Sequence, residues 1–266
     1  MTEFFGFIAA IVIGVTLGLI GGGGSILTVP SLVYLSGVQS VPATAYSLFV
    51  VGLTALVGSV AYMRQGLVSY RTAVVFGIPS LLAVFATRRF LVPAIPVELG
   101  SVAGIAVSRD LAVMLFFAAL MVAASVSMIR RGRQEGADEE LRFHYPMIVV
   151  EGIVVGVLTG LVGAGGGFLI IPALVLLARL PMKLAVGTSL LIIAAKSLVG
   201  FTGDLAQMDV NWNFLALFSA FAVGGILLGT WLTRFVPGHR LKPAFGWFTL
   251  AMGVYIIGRE LTFHSM

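Results

Sequence analysis

Long apolar runs separated by short polar breaks make up nearly the whole chain. Five precede residue 130: Phe4–Ile20, Ile26–Ser36, Pro42–Met63, Tyr70–Ala86 and Asp110–Ile129. Five more follow residue 146: Met147–Val162, Phe168–Ala178, Met182–Thr202, Trp212–Phe235 and Leu241–Glu260. The runs are continuous rather than alternating, so they predict helices and argue against a membrane β-barrel. A helix needs about 20 apolar residues to cross a hydrocarbon core of roughly 30 Å. The longer runs qualify. At about 1.5 Å per residue, Ile26–Ser36 and Phe168–Ala178 reach only half-way. Each lies just beyond a glycine cluster, in "GLIGGGGSILTVP" and "GLVGAGGGFLIIP".

These two stretches belong to a longer duplication. A shift of 142 residues aligns Gly14–Gly58 with Gly156–Gly200 without a gap, with 18 identities in 45 positions. Gly14/Gly156, Gly18/Gly160, Gly21/Gly163, Gly23/Gly165, Gly24/Gly166, Pro30/Pro172, Ser47/Ser189 and Gly58/Gly200 coincide. Glycines and a proline in register do not follow from shared apolar composition. The expected organisation is one integral membrane domain with repeat 1 over 1–129, a charged linker over 130–146 and repeat 2 over 147–266. The expected fold is all-α and polytopic: two homologous repeats, each a glycine-broken first segment followed by three long transmembrane helices.

Two topologies compete. Each broken segment is either one kinked crossing or a hairpin of incomplete helices that turns at the glycines. The hairpin leaves three full crossings per half and so inverts the second half relative to the first. Cytoplasmic loops are rich in Lys and Arg. The hairpin places Arg64, Arg71, Arg130, Arg131, Arg133, Arg142, Arg179, Lys183, Arg234, Arg240 and Lys242 on one side, against Arg88, Arg89, Arg109 and Arg259 on the other. The kinked crossing shows no such bias. Inverted repeats with both termini outside are the expectation, with the Arg88–Arg89 pair running against it.

Composition narrows the class. Of 266 residues 59% are hydrophobic and 10% charged, where soluble domains carry roughly 25% charged residues. The chain is expected to be a multi-pass protein of a bacterial plasma (inner) membrane, with the lipid bilayer as its surroundings. The start, "MTEFFGF", lacks the basic region of a signal peptide. The net charge of +5 reflects basic residues at segment ends, not a nucleic-acid partner. Cysteine is absent, which excludes thiol chemistry, disulfides and thiolate-held metal. His144, His239 and His264 lack metal-ligand spacing. No nucleophile–base set, nucleotide motif or paired intramembrane carboxylates appear, so no enzyme, cofactor or metal site is expected. A homodimer is compatible with the sequence.

Non-helical backbone at membrane depth must be buried in protein or line a cavity, because lipid pairs with no N–H or C=O. Gly21, Gly22, Gly23, Gly24 and Ser25, with Gly163, Gly165, Gly166 and Gly167, are therefore candidate substrate-binding residues. Helices starting after them would aim free N–H groups and a partial positive charge at an anion. Gly14/Gly18 and Gly156/Gly160, at four-residue spacing, read instead as close helix packing. Lys196 lies deep within Met182–Thr202, where a charge costs about 2.5–3.5 kcal/mol on insertion scales. It should face the protein interior or water, as a substrate-site cation or in a packing role. Its repeat counterpart is Thr54, and Glu151 is the nearest acidic residue, near a segment end. Ser47, Thr188 and Ser189, in "TAYS" and "GTS", offer hydroxyls at equivalent places, either to an oxyanion or to neighbouring helices.

With the duplicated break followed by Pro, "AVGTSLLIIAAKSLVGFTGDL", "QGLVSY", "MDVNW" and "LKPAFGWFTLAMGVYIIGREL", the chain resembles the TauE/SafE sulfite-exporter family of membrane permeases along nearly its whole length. The resemblance implies a secondary transporter, an exporter, for a small anion such as sulfite or an organosulfonate. Alternating access would occur at a midplane site between the repeats. The alternative is a transporter of another small substrate with Lys196 as a proton-coupling group. The first half departs from the pattern, with "AYS" in place of "GTS".

Overall fold

The computed structural model describes residues 2–91, 94–96, 98–102, 105–131, 145–162, 167–205 and 210–263. Helix α1 (Thr2–Ile20) ends at the first glycine cluster, where Gly22–Gly24 form one 3-10 turn. The chain continues as α2 (Ser25–Pro30), loosened into a π-helical turn over Ser31–Leu35, and then α3 (Ser40–Met63) and α4 (Tyr70–Ala86). A second π-turn over Thr87–Leu91 extends α4. An antiparallel ribbon of β1 (Glu98–Val102) and β2 (Ile105–Ser108) leads into α5 (Arg109–Arg131). The second half holds α6 (Tyr145–Val162), α7 (Gly167–Pro172) with a π-turn over Ala173–Leu177, α8 (Met182–Leu205), α9 (Trp212–Leu232) and α10 (Gly238–Phe263).

Among the described residues five helical stretches are long and apolar enough to cross a membrane: Pro42–Met63, Tyr70–Leu91, Met182–Thr202, Trp212–Leu232 and Gly238–Gly258. The expectation of an all-helical membrane fold therefore holds, with one short antiparallel ribbon between helices. "ELGSV" and "IAVS" are too short and too poor in periodic signal to announce strands.

The first broken segment turns back on itself. A Cβ on Gly24 would lie 2.6 Å from Ile13 O and 2.7 Å from Leu17 Cγ, and one on Gly6 would fall on Ser36 Oγ. Contacts that run from 24 against 13 out to 36 against 6 describe two antiparallel arms, so the segment is a hairpin and not a kinked rod. In the second half α6 likewise packs against α7 and the π-turn that follows it. Both return arms end alike, with Ser36 N bonded to Ser31 O (3.2 Å) and Ala178 N to Ala173 O (3.1 Å). The residue after each takes a left-handed conformation, Gly37 at φ 69° and Arg179 at φ 53°.

The halves interlock by exchange. Helix α1 packs on α9 and α6 on α4, each pair parallel and glycine-mediated. Gly14 abuts Ala222 O and Gly156 abuts Ser80 O, positions that differ by the same 142 residues. The spacing read as close packing is borne out: these glycines let backbone approach backbone. Helix α3 packs antiparallel to its counterpart α8, with Gly58 beside Leu190 and Gly200 beside Leu48. Helices α5 and α10 also run antiparallel, Gly246 lying by Ile129 and Gly253 by Val122. The core between α3 and α8 is filled by Val50, Ala55, Leu190 and Ala194. Outward faces such as Val74, Ile78, Leu82 and Phe85 of α4 are exposed and apolar, as a lipid-facing surface requires.

Candidate functional site

At the first break Gly21 has φ 73° and ψ −125°, a conformation that side-chain-bearing residues rarely adopt. A Cβ there would also stand 2.5 Å from Ile171 Cδ1 and 2.9 Å from Ser189 Oγ. Glycine is thus required both by the backbone and by its neighbours. Gly22, Gly23 and Gly24 make the turn, and buried Ser25 closes it by donating from Oγ to Gly22 O (2.6 Å). Gly167 opens the second short helix, where a Cβ would lie 2.9 Å from Ile193 Cδ1 and 3.5 Å from Ser25 Oγ. Gly163, Gly165 and Gly166 fall outside the described residues. Ser25 and Gly167 occupy equivalent positions in the two halves, so the two breaks meet each other.

Helix α8 carries this meeting point on one face. Ser189, Ile193 and Lys196, spaced four and three residues apart, form a single stripe. Ser189 borders Gly21 and Ile193 borders Gly167. Ile193 adjoins the centre of the apolar span Met182–Thr202. Lys196 follows one turn on. It is half-buried and its Nζ donates to Ser80 Oγ at 3.1 Å. Ser80 is itself fully buried at the middle of Tyr70–Leu91. The cation faces protein, as its cost in lipid demands, and a neutral hydroxyl holds it. Its counterpart Thr54 is buried, and Thr54 Oγ1 has no hydrogen-bond partner among the described residues.

The hydroxyls of "TAYS" and "GTS" have defined structural duties. Thr188 Oγ1 accepts from Ser69 N (3.0 Å), and Tyr46 OH accepts from Asn211 N (2.8 Å). Tyr46 matches Thr188 and Ser69 matches Asn211 at the 142-residue offset. Ser69 and Asn211 are N-caps, accepting from Thr72 N (3.4 Å) and Phe214 N (3.2 Å). Each half thus fixes the start of the other half's lipid-facing helix. Ser47 Oγ donates to Thr44 O (2.7 Å) and Ser189 Oγ to Val186 O (2.8 Å), which leaves their lone pairs rather than their protons to a ligand. Replacing Thr188 with valine strands the Ser69 N–H and should cost about 1–3 kcal/mol. Thermal unfolding in detergent reads the loss, and Thr188→Ser should restore it.

Two contributors escape sequence reasoning. Tyr62 OH donates to Gly18 O (2.8 Å) and lies 3.2 Å from Thr233 Oγ1, which also reaches Gly18 O (3.2 Å). Together they satisfy a carbonyl in the last turn of α1 and tie α1, α3 and α9 together just before the break. Ser80 is the other. Their counterparts are Asp204 and Ala222, so the repeat marks neither. A lone hydroxyl mid-way along an apolar run is the one signal Ser80 leaves. No group of His, Cys, Asp and Glu with metal-holding geometry occurs among the described residues.

Residues 6–256 match the family model described as sulfite exporter TauE/SafE. The chain is 34% identical over 256 residues to a "Probable membrane transporter protein" of Xylella fastidiosa (strain Temecula1), covering 93% of this chain and 92% of that one. It is 34% identical to "Probable membrane transporter protein YunE" of Bacillus subtilis over 83% of this chain and 86% of the relative. YdhB of the same organism, with the same description, is 25% identical over 87% of this chain. No solved structure matches. The broken, buried helices and apolar spans agree with these relatives: the chain is an integral, multi-pass membrane transporter, not an enzyme, and it belongs to the TauE/SafE sulfite-exporter family.

Proposed function

We propose that the chain exports a small sulfur oxyanion, sulfite or a related organosulfonate, across a bacterial plasma membrane. The anion binds where the two breaks meet, cradled by Gly21–Ser25 and the start of α7 and balanced by Lys196. The observation that carries this reading is the approach of Ser25 and Gly167 beside Ile193, one helical turn from the Lys196 ammonium. A cation at membrane depth next to non-helical backbone is a typical midplane binding site in repeat-built transporters. A doubly charged oxyanion gains more from such a site than a neutral solute does.

The two halves act as inverted repeats, 1–129 and 147–266, joined by the linker over 130–146. In support, counterpart helices α3 and α8 run antiparallel, and the broken segment folds as a hairpin. Access alternates as each hairpin moves with the helix of the other half that it grips. Purified protein in liposomes should show saturable release of radiolabelled sulfite, inhibited by methanesulfonate. No movement of either anion would remove the substrate from this reading.

A further inference from the structure

We propose that Glu151 is a proton-binding carboxyl that couples anion movement to protons; the coupling, though not the proton site, rests on the transport reading above. Glu151 lies six residues into α6, is 5% exposed, and neither carboxylate oxygen has a hydrogen-bond partner among the described residues. Its neighbour Gly152 packs against Phe76 O (2.6 Å from a Cβ there). Phe76 stands some four residues from the middle of Tyr70–Leu91, which puts Glu151 roughly 8 Å from the span's centre. The carboxyl therefore sits at membrane depth.

The elements packed on α6 are α4 with its π-turn, α5, and α7 with its π-turn. Their charged and titratable residues stand at element ends: Tyr70 and Arg71 on α4, Arg88 and Arg89 on its π-turn, Arg109, Asp110, Arg130 and Arg131 on α5. The α7 segment has none, and α6 itself adds only Tyr145. Tyr70, Arg71 and Arg130 are exposed. The π-turn bearing Arg88 and Arg89 begins at Thr87, which meets Gly160 two turns beyond Glu151. A buried, unpaired carboxylate is stabilised by a proton or a cation. Among the described residues no group of three or more His, Cys, Asp and Glu could hold a metal ion, and a lone carboxyl in such surroundings is suited to a proton.

Its position links it to the moving part. Ile148, Glu151, Val155 and Thr159 form one buried stripe of α6. The counterparts of Val155 and Thr159 are Ile13 and Leu17, which touch Gly24 at the first break. Glu151 thus lies on the hairpin arm, on the stripe that runs toward the second break. Movement of that arm together with α4, whose Ser80 also holds Lys196, against the rest of the protein would turn the carboxyl toward water on alternate sides. It would load H+ on one side and release it on the other, with no bond in the substrate broken.

Dicyclohexylcarbodiimide reacts with protonated carboxyls in apolar surroundings and tests the site without any transported substrate. On reconstituted full-length protein, mass spectrometry should find an adduct on Glu151 that fades as pH rises and is lost in Glu151→Gln. In the same vesicles an imposed pH gradient should accelerate sulfite flux. Glu151→Gln should abolish that response while sulfite exchange continues, and Glu151→Asp should retain part of it. No adduct on Glu151 at any pH, or an undiminished gradient response in the glutamine variant, overturns the proposal. Should sulfite not move at all, the substrate reading fails, and the labelling alone decides whether Glu151 holds a proton.

Discussion

Lys196→Ala is expected to weaken sulfite transport roughly ten- to a hundredfold. The loss is that of a charge-assisted hydrogen bond to the anion, about 1.5–3 kcal/mol, at about 1.4 kcal/mol for each factor of ten. Removing the ammonium also leaves Ser80 Oγ, fully buried in α4, without its 3.1 Å donor. Ser80→Ala keeps the charge and loses only its anchor. The bond lost is itself charge-assisted, but the ammonium that remains keeps its attraction for the anion, so a drop smaller than that of Lys196→Ala is expected. Concentration dependence of flux in liposomes separates these effects from loss of folding. If Lys196 served packing alone, both variants would lower the unfolding temperature and leave the flux of folded protein unchanged.

Gly225→Leu is expected to abolish recovery of folded protein, whereas Gly224→Leu, one residue earlier, should be tolerated. A Cβ on Gly225 meets the Ile11 carbonyl and lies 3.0 Å from Ile11 Cα, while one on Gly224 meets nothing within 4 Å. The obstructing atoms at Gly225 are backbone, so no rotamer change relieves them. Overpacking in a tight core costs about 1–3 kcal/mol when the surroundings can shift, and here α1 would have to leave α9. Gly14→Leu should fail in the same way, because Gly14 abuts Ala222 O and lies close to Ile226 N. Size-exclusion profiles in detergent distinguish the outcomes. Equal recovery of the 224 and 225 variants would contradict the packing of α1 on α9.

Much of this architecture is written in periodicity and repetition. The apolar runs locate every long helix, because a span must hide its backbone polar groups within itself. The Gly21–Gly24 cluster marks the first break, because few other residues tolerate φ 73° against Ile171 and Ser189. The offset of 142 residues, visible as identities over Gly14–Gly58, reappears in three dimensions as reciprocal contacts and reaches past that window to α4 and α9. Partners were not legible. Nothing in one sequence couples Lys196 to Ser80 or Tyr62 to Gly18, since these bonds join residues 116 and 44 positions apart through packing alone. Thr188 looked equally like a ligand group and a helix contact, and only the Ser69 N–H shows what occupies its lone pair. Glu151 was read as lying near a segment end. Its depth became visible once Gly152 was seen against Phe76.

Equilibrium binding of radiolabelled sulfite to the purified protein is the most direct probe of the pocket between the two breaks. A single saturable site per chain is expected, lost in Gly21→Ala, weakened roughly ten- to a hundredfold in Lys196→Ala and retained in Gly224→Leu, with size exclusion confirming that each variant is folded. Binding that survives undiminished in the folded Gly21 and Lys196 variants would place the anion elsewhere and contradict the account.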